Sequence, residues 1–416
     1  MVFFGQKHHV FDFVQLVYNH IRQTKWKRKF FCDEKATKVQ YNITMMIDNF
    51  DLRQLVEPLQ KWFQENARVL PWRENPLAYY VWVSEIMLQQ TRVEAVKPYF
   101  DRFVRELPDV KALAECPEDK LLKLWEGLGY YNRVRNLKIA ANQIMEEYKG
   151  QIPAEYDELL KLKGIGHYTA GAIASIAYGK AVPAVDGNVL RVISRVTADD
   201  SDIMKQSVRT HMEECLLEVM KDKTTGVIPS VFNQALMELG ATVCVPNGVP
   251  HCDGCPWNLM CEAKKQDKIS ELPVKKKAKE RRIEERTVFV IKDGDKVALH
   301  KRSSKGLLAG LYELPNVEGY LTEADVVAYI KKQGYEPIRI QPICEAKHIF
   351  SHVEWHMKGY VVFLEAQEYA LPKKVQEWIF VDKEETKDNY AIPSAFVKYT
   401  EYLNMSIGKD AALKNG

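Results

Sequence analysis

Four cysteines near the middle of the chain are spaced closely enough to bind one metal centre: Cys244, Cys252, Cys255 and Cys261. Seven, two and five residues separate them. Clustered thiolates favour soft metals, and a disulfide framework is unusual inside a cell. This spacing is too compressed for two zinc knuckles and suits four ligands around one [4Fe-4S] cluster. A zinc site remains the alternative.

Two carboxylates are candidates for acid–base chemistry. Glu85 lies in the helical string VWVSEIMLQQT, where its neighbours one turn away include Val81, Trp82 and Leu88. Such an apolar environment favours the protonated acid, which would suit a general acid. A hydrogen-bonded core acid is the alternative. Asp186 directly precedes Gly187 and a helix-like run, so its local string favours an N-cap.

The string LKGIGHYTAGAIASIAYG predicts a hairpin in front of a helix of small residues. Gly164 and Gly166 would allow positive φ angles and let backbone N–H groups approach a phosphate at the helix N terminus. This is the pattern of a helix-hairpin-helix clamp on a DNA backbone. A plain turn between helices is the alternative for the glycines alone.

The elements that must position these residues divide the chain into two domains. Helical periods from 47 to 263 predict an all-α body that carries the cysteine loop. A charged segment, 264–286, predicts a solvated linker. Strand-like strings such as TVFVIK and KVALHKR then predict an α+β domain over 287–405, followed by a tail, 406–416.

The first 46 residues are predicted to be a basic extension. Residues 1–44 contain eight Lys and Arg against three Asp and Glu, whereas the whole chain of 416 residues has a net charge of +3. The extension could act as a nucleic-acid arm, or be loosely ordered, or reflect a start codon assigned too early. No apolar run approaches eighteen residues, which excludes a membrane span. We expect a cytosolic or nuclear monomer, and a bacterial cytoplasm best fits the terminal segments.

Taken together, these strings resemble the adenine DNA glycosylases of the MutY family. The resemblance covers about Leu52 to Cys261 and resumes in the C-terminal domain. It implies that double-stranded DNA with adenine opposite 8-oxoguanine or guanine is the partner, and that the adenine is flipped out before excision. Glu85 would then protonate adenine N7, and Asp186 would stabilise the oxocarbenium-like sugar.

The same resemblance implies roles for further residues. Tyr168 and Asn188 would orient the acid and the sugar. The adenine pocket would be formed by Arg68, Leu70, Trp72 and Gln234. The opposite strand would be contacted by Gln89, Thr91, Leu128 and Tyr130. Tyr130 would wedge into the base stack, although its neighbour Tyr131 could instead supply the exposed ring.

The C-terminal domain resembles the Nudix-like module of that family, without the carboxylate helix that binds catalytic magnesium. Recognition of 8-oxoguanine would fall to Phe350, Ser351 and His352. The chain departs from the family in having one extra residue between Cys244 and Cys252 and Lys163 where proline is commoner. An endonuclease III-like enzyme, a non-catalytic DNA-binding protein and a Nudix hydrolase are the alternatives. The endonuclease would need an amine where this chain has Tyr168.

Overall fold

A computed structural model describes residues 46–47, 50–276, 280–365 and 378–403. The predicted extension lies outside these residues apart from Met46, as does the predicted tail. No helix in the described part is long and apolar enough to cross a membrane. The two domains follow one another along the chain, a helical body and then a mixed α+β domain.

The helical body opens with a short pair of antiparallel strands, β1 (Met46–Ile47) and β2 (Phe50–Asp51), which the all-α prediction did not include. Its helices are α1 (Val56–Asn66), α2 (Pro71–Glu74), α3 (Ala78–Leu88), α4 (Val93–Glu106), α5 (Val110–Glu115), α6 (Glu118–Leu124), α7 (Asn132–Glu147), α8 (Tyr156–Leu159), α9 (His167–Ala172), α10 (Gly187–Thr197), α11 (Gln206–Lys221), α12 (Pro229–Thr242) and α13 (Glu262–Lys265). A wider turn, Ile173–Ala177, extends α9.

Two apolar cores divide this body into two lobes. The first lobe is formed by α2–α9 around buried rings such as Trp82, Phe103 and Trp125. The second lobe joins α1 to α10–α12, with Phe232 and Trp257 in its core. Along the sequence, the chain therefore begins in the second lobe, then forms the first lobe, and then completes the second lobe. A cleft between the lobes can combine side chains that are far apart in sequence.

Helices α3 and α10 form the walls of this cleft for reasons visible in their residues. Most of α3 is apolar on every side and is buried from Val81 to Met87, as expected for a helix enclosed by others. Helix α10 starts at Asp186, whose side chain accepts hydrogen bonds from two backbone N–H groups. It ends at Ala198, which adopts a left-handed conformation with φ of 59°.

The second domain contains a mixed sheet of β3 (Arg282–Asp293), β4 (Lys296–Lys301), β5 (Tyr312–Glu313), β6 (Asn316–Glu318), β7 (Pro337–Ile349), β8 (Val353–Leu364) and β9 (Trp378–Val381), with helices α14 (Glu323–Lys332) and α15 (Lys383–Asn389). The main order is β5-β4-β3-β8-β7, and β6 and β9 pair with β3 and β4. Among the described strands, β3 and β8 form the one parallel pair. Alternate residues of β3 enter two cores, Val288 and Val290 on one face and Phe289 and Ile291 on the other.

The predicted linker, 264–286, includes backbone groups that are hydrogen-bonded to the helical body. Leu272 is buried and its carbonyl accepts a hydrogen bond from Arg195 Nε at 2.9 Å. The carbonyl of Val274 accepts one from Ile203 N at 3.2 Å. Strand β3 already begins at Arg282. Charge content does not reveal these backbone contacts, and the solvated linker stays a prediction.

The two domains contact one another through α6 and α7. Lys123 Nζ donates to the carbonyls of Thr386 and Tyr390 at 2.9 and 3.0 Å. Arg135 Nη2 donates to the carbonyl of Ala309 at 2.6 Å. The second domain is therefore held beside the start of α7, next to the cleft.

Candidate active site

A cavity of about 1060 Å³ lies between the two lobes. Ten of the residues predicted from the sequence line it together: Arg68, Leu70, Trp72, Glu85, Gln89, Thr91, Tyr168, Asp186, Asn188 and Gln234. They come from α2, α3, α9, α10, α12 and the segments beside them. The fold thus brings both predicted carboxylates to one space of a size that admits a nucleobase.

Glu85 is a buried acid with a hydroxyl partner. Its side chain projects from α3 and is only 5% exposed. Burial raises the pKa of Glu85 to about 7; the hydrogen bond from Tyr168 opposes this and the negative charge of Asp186 reinforces it. Tyr168 Oη donates that hydrogen bond to Glu85 Oε2. The pKa of Glu85 is thus raised, the direction that its apolar neighbours in the sequence predict.

Asp186 is surrounded by hydrogen-bond donors. Its Oδ1 accepts from the backbone N–H groups of Asn188 and Val189, both at 2.8 Å, and its Oδ2 accepts from Asn188 Nδ2 at 2.7 Å. The predicted N-cap is therefore present, and the capping residue also lines the cavity. Burial raises the pKa of Asp186, while these hydrogen bonds and the charge of Arg191 favour its ionised form.

Glu238 is a third carboxylate in the cavity that sequence reasoning missed. Its side chain is fully buried and pairs with Arg68 Nε at 2.6 Å and with Arg73 Nη2 at 2.8 Å. Although burial works against the charged form, these two guanidinium groups keep the pKa of Glu238 below its usual range. Glu238 lies one helical turn after Gln234, and this spacing could have indicated that it faces the same cavity. Arg68 thus lines the cavity, and its guanidinium forms an ion pair with Glu238.

Arg191 connects this site with the cysteine loop. Its Nη2 donates to Asn188 Oδ1 and to the carbonyl of Gly240, each at 2.8 Å, and its Nε donates to the carbonyl of Cys244 at 2.8 Å. A Cβ at Gly240 would lie 2.7 Å from Asn188 Cβ, so glycine permits the close approach of α12 to α10. Asn188, which hydrogen-bonds Asp186, is therefore itself hydrogen-bonded by Arg191, and Arg191 also contacts the cysteine loop.

The four predicted cysteines line one small cavity beside α10. Burial raises the pKa of Cys255 to about 12, and the other three thiols add to the effect. Arg195 Nη1 lies 3.4 Å from Cys244 Sγ. Among the described residues, no three His, Cys, Asp or Glu side chains are arranged around a position for a metal ion. The four thiols line this common space.

A second cavity of about 870 Å³ lies between the domains. The remaining residues predicted to face the opposite strand line it: Leu128, Tyr130, Phe350, Ser351 and His352. Gln90, Thr91 and Arg92 line both cavities, which therefore adjoin. Tyr130 is 52% exposed and Tyr131 is buried, so Tyr130 presents the exposed ring. Ser351 Oγ donates to Tyr130 Oη at 3.2 Å across the domain boundary.

The predicted hairpin before α9 is present, with one correction. Gly164 has a φ of 79°, and a Cβ there would lie 2.6 Å from Asn136 Cβ. Gly166 has a φ of −99° and an extended backbone, so the expected positive φ is wrong at this position. Gly166 instead starts α9 without a side-chain cap, in open space. It thereby leaves the helix N terminus accessible to an anion.

Two family matches correspond to the two domains. Residues 83–217 match the HhH-GPD superfamily of base excision DNA repair proteins, and residues 287–402 match the NUDIX domain. The chain is 34% identical over 379 residues to an adenine DNA glycosylase of Mus musculus, covering 77% of this chain and 73% of that protein. It is 31% identical over 301 residues to an adenine DNA glycosylase of Buchnera aphidicola subsp. Baizongia pistaciae, covering 71% and 82%. A structure of a thermostable thymine-DNA glycosylase shares 24% identity at a TM-score of 0.45, covering 56% of this chain and 99% of that one.

Proposed function

The chain belongs to the adenine DNA glycosylase family of base excision repair, and from that premise we propose that it releases adenine mispaired with 8-oxoguanine or guanine. The flipped adenine enters the cavity between the lobes. One observation carries the proposal: two carboxylates with contrasting environments line that one cavity. Glu85, with a pKa raised to about 7 by burial, accepts one hydroxyl hydrogen bond, whereas Asp186 accepts three N–H hydrogen bonds. Such a contrast separates a proton donor from an anion.

The proposed reaction uses the two acids in sequence. Glu85 transfers its proton to adenine N7, and the electron pair of the bond between C1′ and N9 moves onto the departing base. The ionised carboxylate of Asp186 stabilises the positive charge that develops on the sugar. Water then adds at C1′ and gives a proton to the Glu85 carboxylate, which leaves an abasic site, free adenine and a protonated Glu85. Tyr168 and Asn188 act as positioning residues because each holds one of the two carboxylates.

Recognition of the opposite base is assigned to the cavity between the domains. Tyr130 is the exposed aromatic ring at its edge and can replace the stacking that the flipped adenine vacates. Ser351 and His352 are exposed on the facing domain. Because the two cavities share Gln90, Thr91 and Arg92, one duplex can present its adenine to the first and its opposite base to the second. We therefore assign recognition of the opposite base to the NUDIX-type domain.

This assignment is tested by base release under single turnover from three duplexes, with adenine opposite 8-oxoguanine, adenine opposite guanine, or an oxidised pyrimidine. We expect release from the first two, faster opposite 8-oxoguanine, and none from the third. Release of the oxidised pyrimidine alone would replace this function with an endonuclease III-like one. The Ser351→Ala/His352→Ala double variant should reduce the preference for 8-oxoguanine, because two hydrogen-bonding side chains leave the second cavity.

The double variant needs a control on the same surface. His356, on β8 of the same domain, hydrogen-bonds Glu354 and does not line the second cavity, so His356→Ala removes a comparable imidazole. It should leave the preference unchanged. Equal discrimination by the double variant and the parent protein would remove Ser351 and His352 from the recognition of 8-oxoguanine.

We also propose that the four loop thiols hold a [4Fe-4S] cluster. Support comes from their common cavity and from their spacing, in which seven, two and five residues separate successive cysteines. When bound, the cluster would cross-link the loop to itself. Arg191 and Arg195 contact that loop at Cys244 and so determine its position against α10.

Protein purified without oxygen is therefore expected to contain about four iron atoms per chain and to absorb broadly in the visible range. The variant Cys255→Ser should lose both the iron and the absorbance. Cys215→Ser provides the control, because Cys215 is a buried thiol outside the loop. Stoichiometric zinc without iron would contradict the cluster and leave the zinc alternative.

A further inference from the structure

We infer that Arg133 is a positioning residue that joins the two turns presenting this enzyme to the opposite strand, and so sets its discrimination between opposite bases. The inference deepens the proposed function and rests on it. Arg133 lies in the first turn of α7 and was not singled out by any motif. Its guanidinium donates hydrogen bonds to five backbone carbonyls, which belong to two separate segments.

The first of these segments is the end of α3, the helix that carries Glu85. Arg133 Nη1 lies 2.7 Å from the carbonyl oxygen of Ile86, 3.1 Å from that of Met87 and 2.6 Å from that of Gln89. The last carbonyls of a helix lack partners within the helix and attract a cation. Arg133 therefore caps α3 immediately beyond Glu85.

The second segment is the turn that carries Tyr130. Arg133 Nη2 lies 3.0 Å from the carbonyl oxygen of Leu128 and 3.1 Å from that of Gly129. The guanidinium carbon is also 5.6 Å from the centre of the Tyr130 ring and 5.3 Å from that of Trp125. The cation thus holds both the backbone before Tyr130 and one side of its ring.

Both segments carry a residue in an unfavourable backbone conformation. Gln90, which follows the first segment, has a φ of 61°, and Tyr130 has a φ of 49°. Side chains other than glycine adopt positive φ values only when the surrounding structure imposes them. Gln90 and Tyr130 line the second cavity, and Gln90 also lines the first. The strained residues are therefore the ones placed to meet DNA.

A single guanidinium suits this task because it is planar and offers several N–H groups in fixed directions. A lysine has a compact ammonium on a flexible stem and cannot span five carbonyls in two directions. Burial lowers the pKa of Arg133 to about 10, so the group remains charged at neutral pH. Its contacts hold the Tyr130 turn at a set distance from the end of α3. Loss of them would let the wedge ring and the Gln89–Thr91 turn move independently.

The test compares Arg133→Lys with a matched control, Arg102→Lys. Arg102 is also partly buried, donates to the carbonyl at the end of a helix at 3.0 Å, and has its guanidinium carbon 5.0 Å from the centre of a tyrosine ring. It lines neither cavity. Each variant is titrated with duplexes that carry 2′-fluoroadenosine opposite 8-oxoguanine or guanine, since the fluorine opposes oxocarbenium formation and prevents cleavage.

Arg133→Lys should reduce the ratio of the two affinities by about tenfold, which corresponds to one or two lost hydrogen bonds of a charged donor. Arg102→Lys should retain the ratio. An unchanged ratio in folded Arg133→Lys would overturn the inference. If the parent protein releases no adenine from either natural duplex, the proposed function fails instead.

A second variant decides the question even if Arg133→Lys does not fold. Gly129 has a φ of 71°, and a Cβ there would touch nothing within 4 Å, so Gly129→Ala strains the turn without altering its packing. It should reduce the same affinity ratio. Gly226→Ala, at a φ of 65° and also in open space, is the control and should not change the ratio. Equal ratios for both alanine variants would show that the geometry of the Tyr130 turn does not set discrimination.

Discussion

Glu85→Gln is expected to bind a mismatched duplex like the parent protein and to release adenine between about a hundredfold and ten-thousandfold more slowly. Glutamine preserves the shape of the side chain and can still accept the hydrogen bond that Tyr168 donates. It has no carboxylic proton to transfer to adenine N7. Base release under single turnover, measured as alkali-labile strand breaks, isolates this step from product release.

The pH dependence of base release by the parent protein tests the role of Glu85 independently of the substitution. Burial raises the pKa of Glu85 to about 7, and the proposed mechanism requires the protonated form. The single-turnover rate should therefore be highest below about pH 7 and fall as the pH rises through that value.

Glu94→Gln is a suitable control for the Glu85→Gln substitution, because Glu94 lines the same cavity but is exposed and hydrogen-bonded to Lys97. Unimpaired excision by Glu85→Gln would refute the assigned acid.

Asp186→Asn is the second substitution with a large expected effect, a loss of about a hundredfold to a thousandfold in the rate of base release. Asparagine is as good an N-cap as aspartate, so α10 should still start at this residue. The substitution removes the negative charge beside the developing oxocarbenium ion, together with the oxygen that accepts the hydrogen bond from Asn188 Nδ2. Burial of Asp186 strengthens the effect, because water screens a buried charge poorly.

Asp109→Asn controls for the loss of an aspartate at a helix start. Asp109 caps α5 by accepting a hydrogen bond from Ala112 N, and it lies outside the cavity. Its substitution should leave base release unchanged. A thermal unfolding curve for each variant separates a lost charge from a lost fold. Parent-like release by Asp186→Asn would leave the sugar cation without the assigned partner and require another anion in the cavity.

Much of the candidate site could be predicted because its signals are local. Glu85 is surrounded by apolar residues one turn away on the same helix, and this is sufficient to predict a buried acid with a raised pKa. Asp186 precedes a glycine and a helical run, and the structure confirms the N-cap. The strands TVFVIK and KVALHKR are likewise present, because the alternation of their residues reflects the faces that they bury.

Other features could not be predicted because they depend on contacts between distant segments. Glu238 becomes a stable buried anion only when α2 brings Arg68 and Arg73 against α12. Which of Tyr130 and Tyr131 presents the exposed ring depends on the backbone of Tyr130, which has a φ of 49°. Arg133 and the carbonyl groups that it contacts lie beside this turn. The ends of the charged segment 264–286 bond to both domains through backbone groups, and composition carries no information about those bonds.

The amino-acid sequence by itself determined the kinds of chemistry available to this protein: a proton donor in an apolar setting, a capping carboxylate, four clustered thiols and a glycine hairpin. Each is a property of residues within a turn or two of one another, where spacing alone governs contact. The tertiary structure decided that Glu85 and Asp186, 101 residues apart, share one cavity, and that Ser351 reaches Tyr130 across two domains. Those placements follow from how two lobes and a sheet bury their apolar faces against one another, which no local pattern specifies.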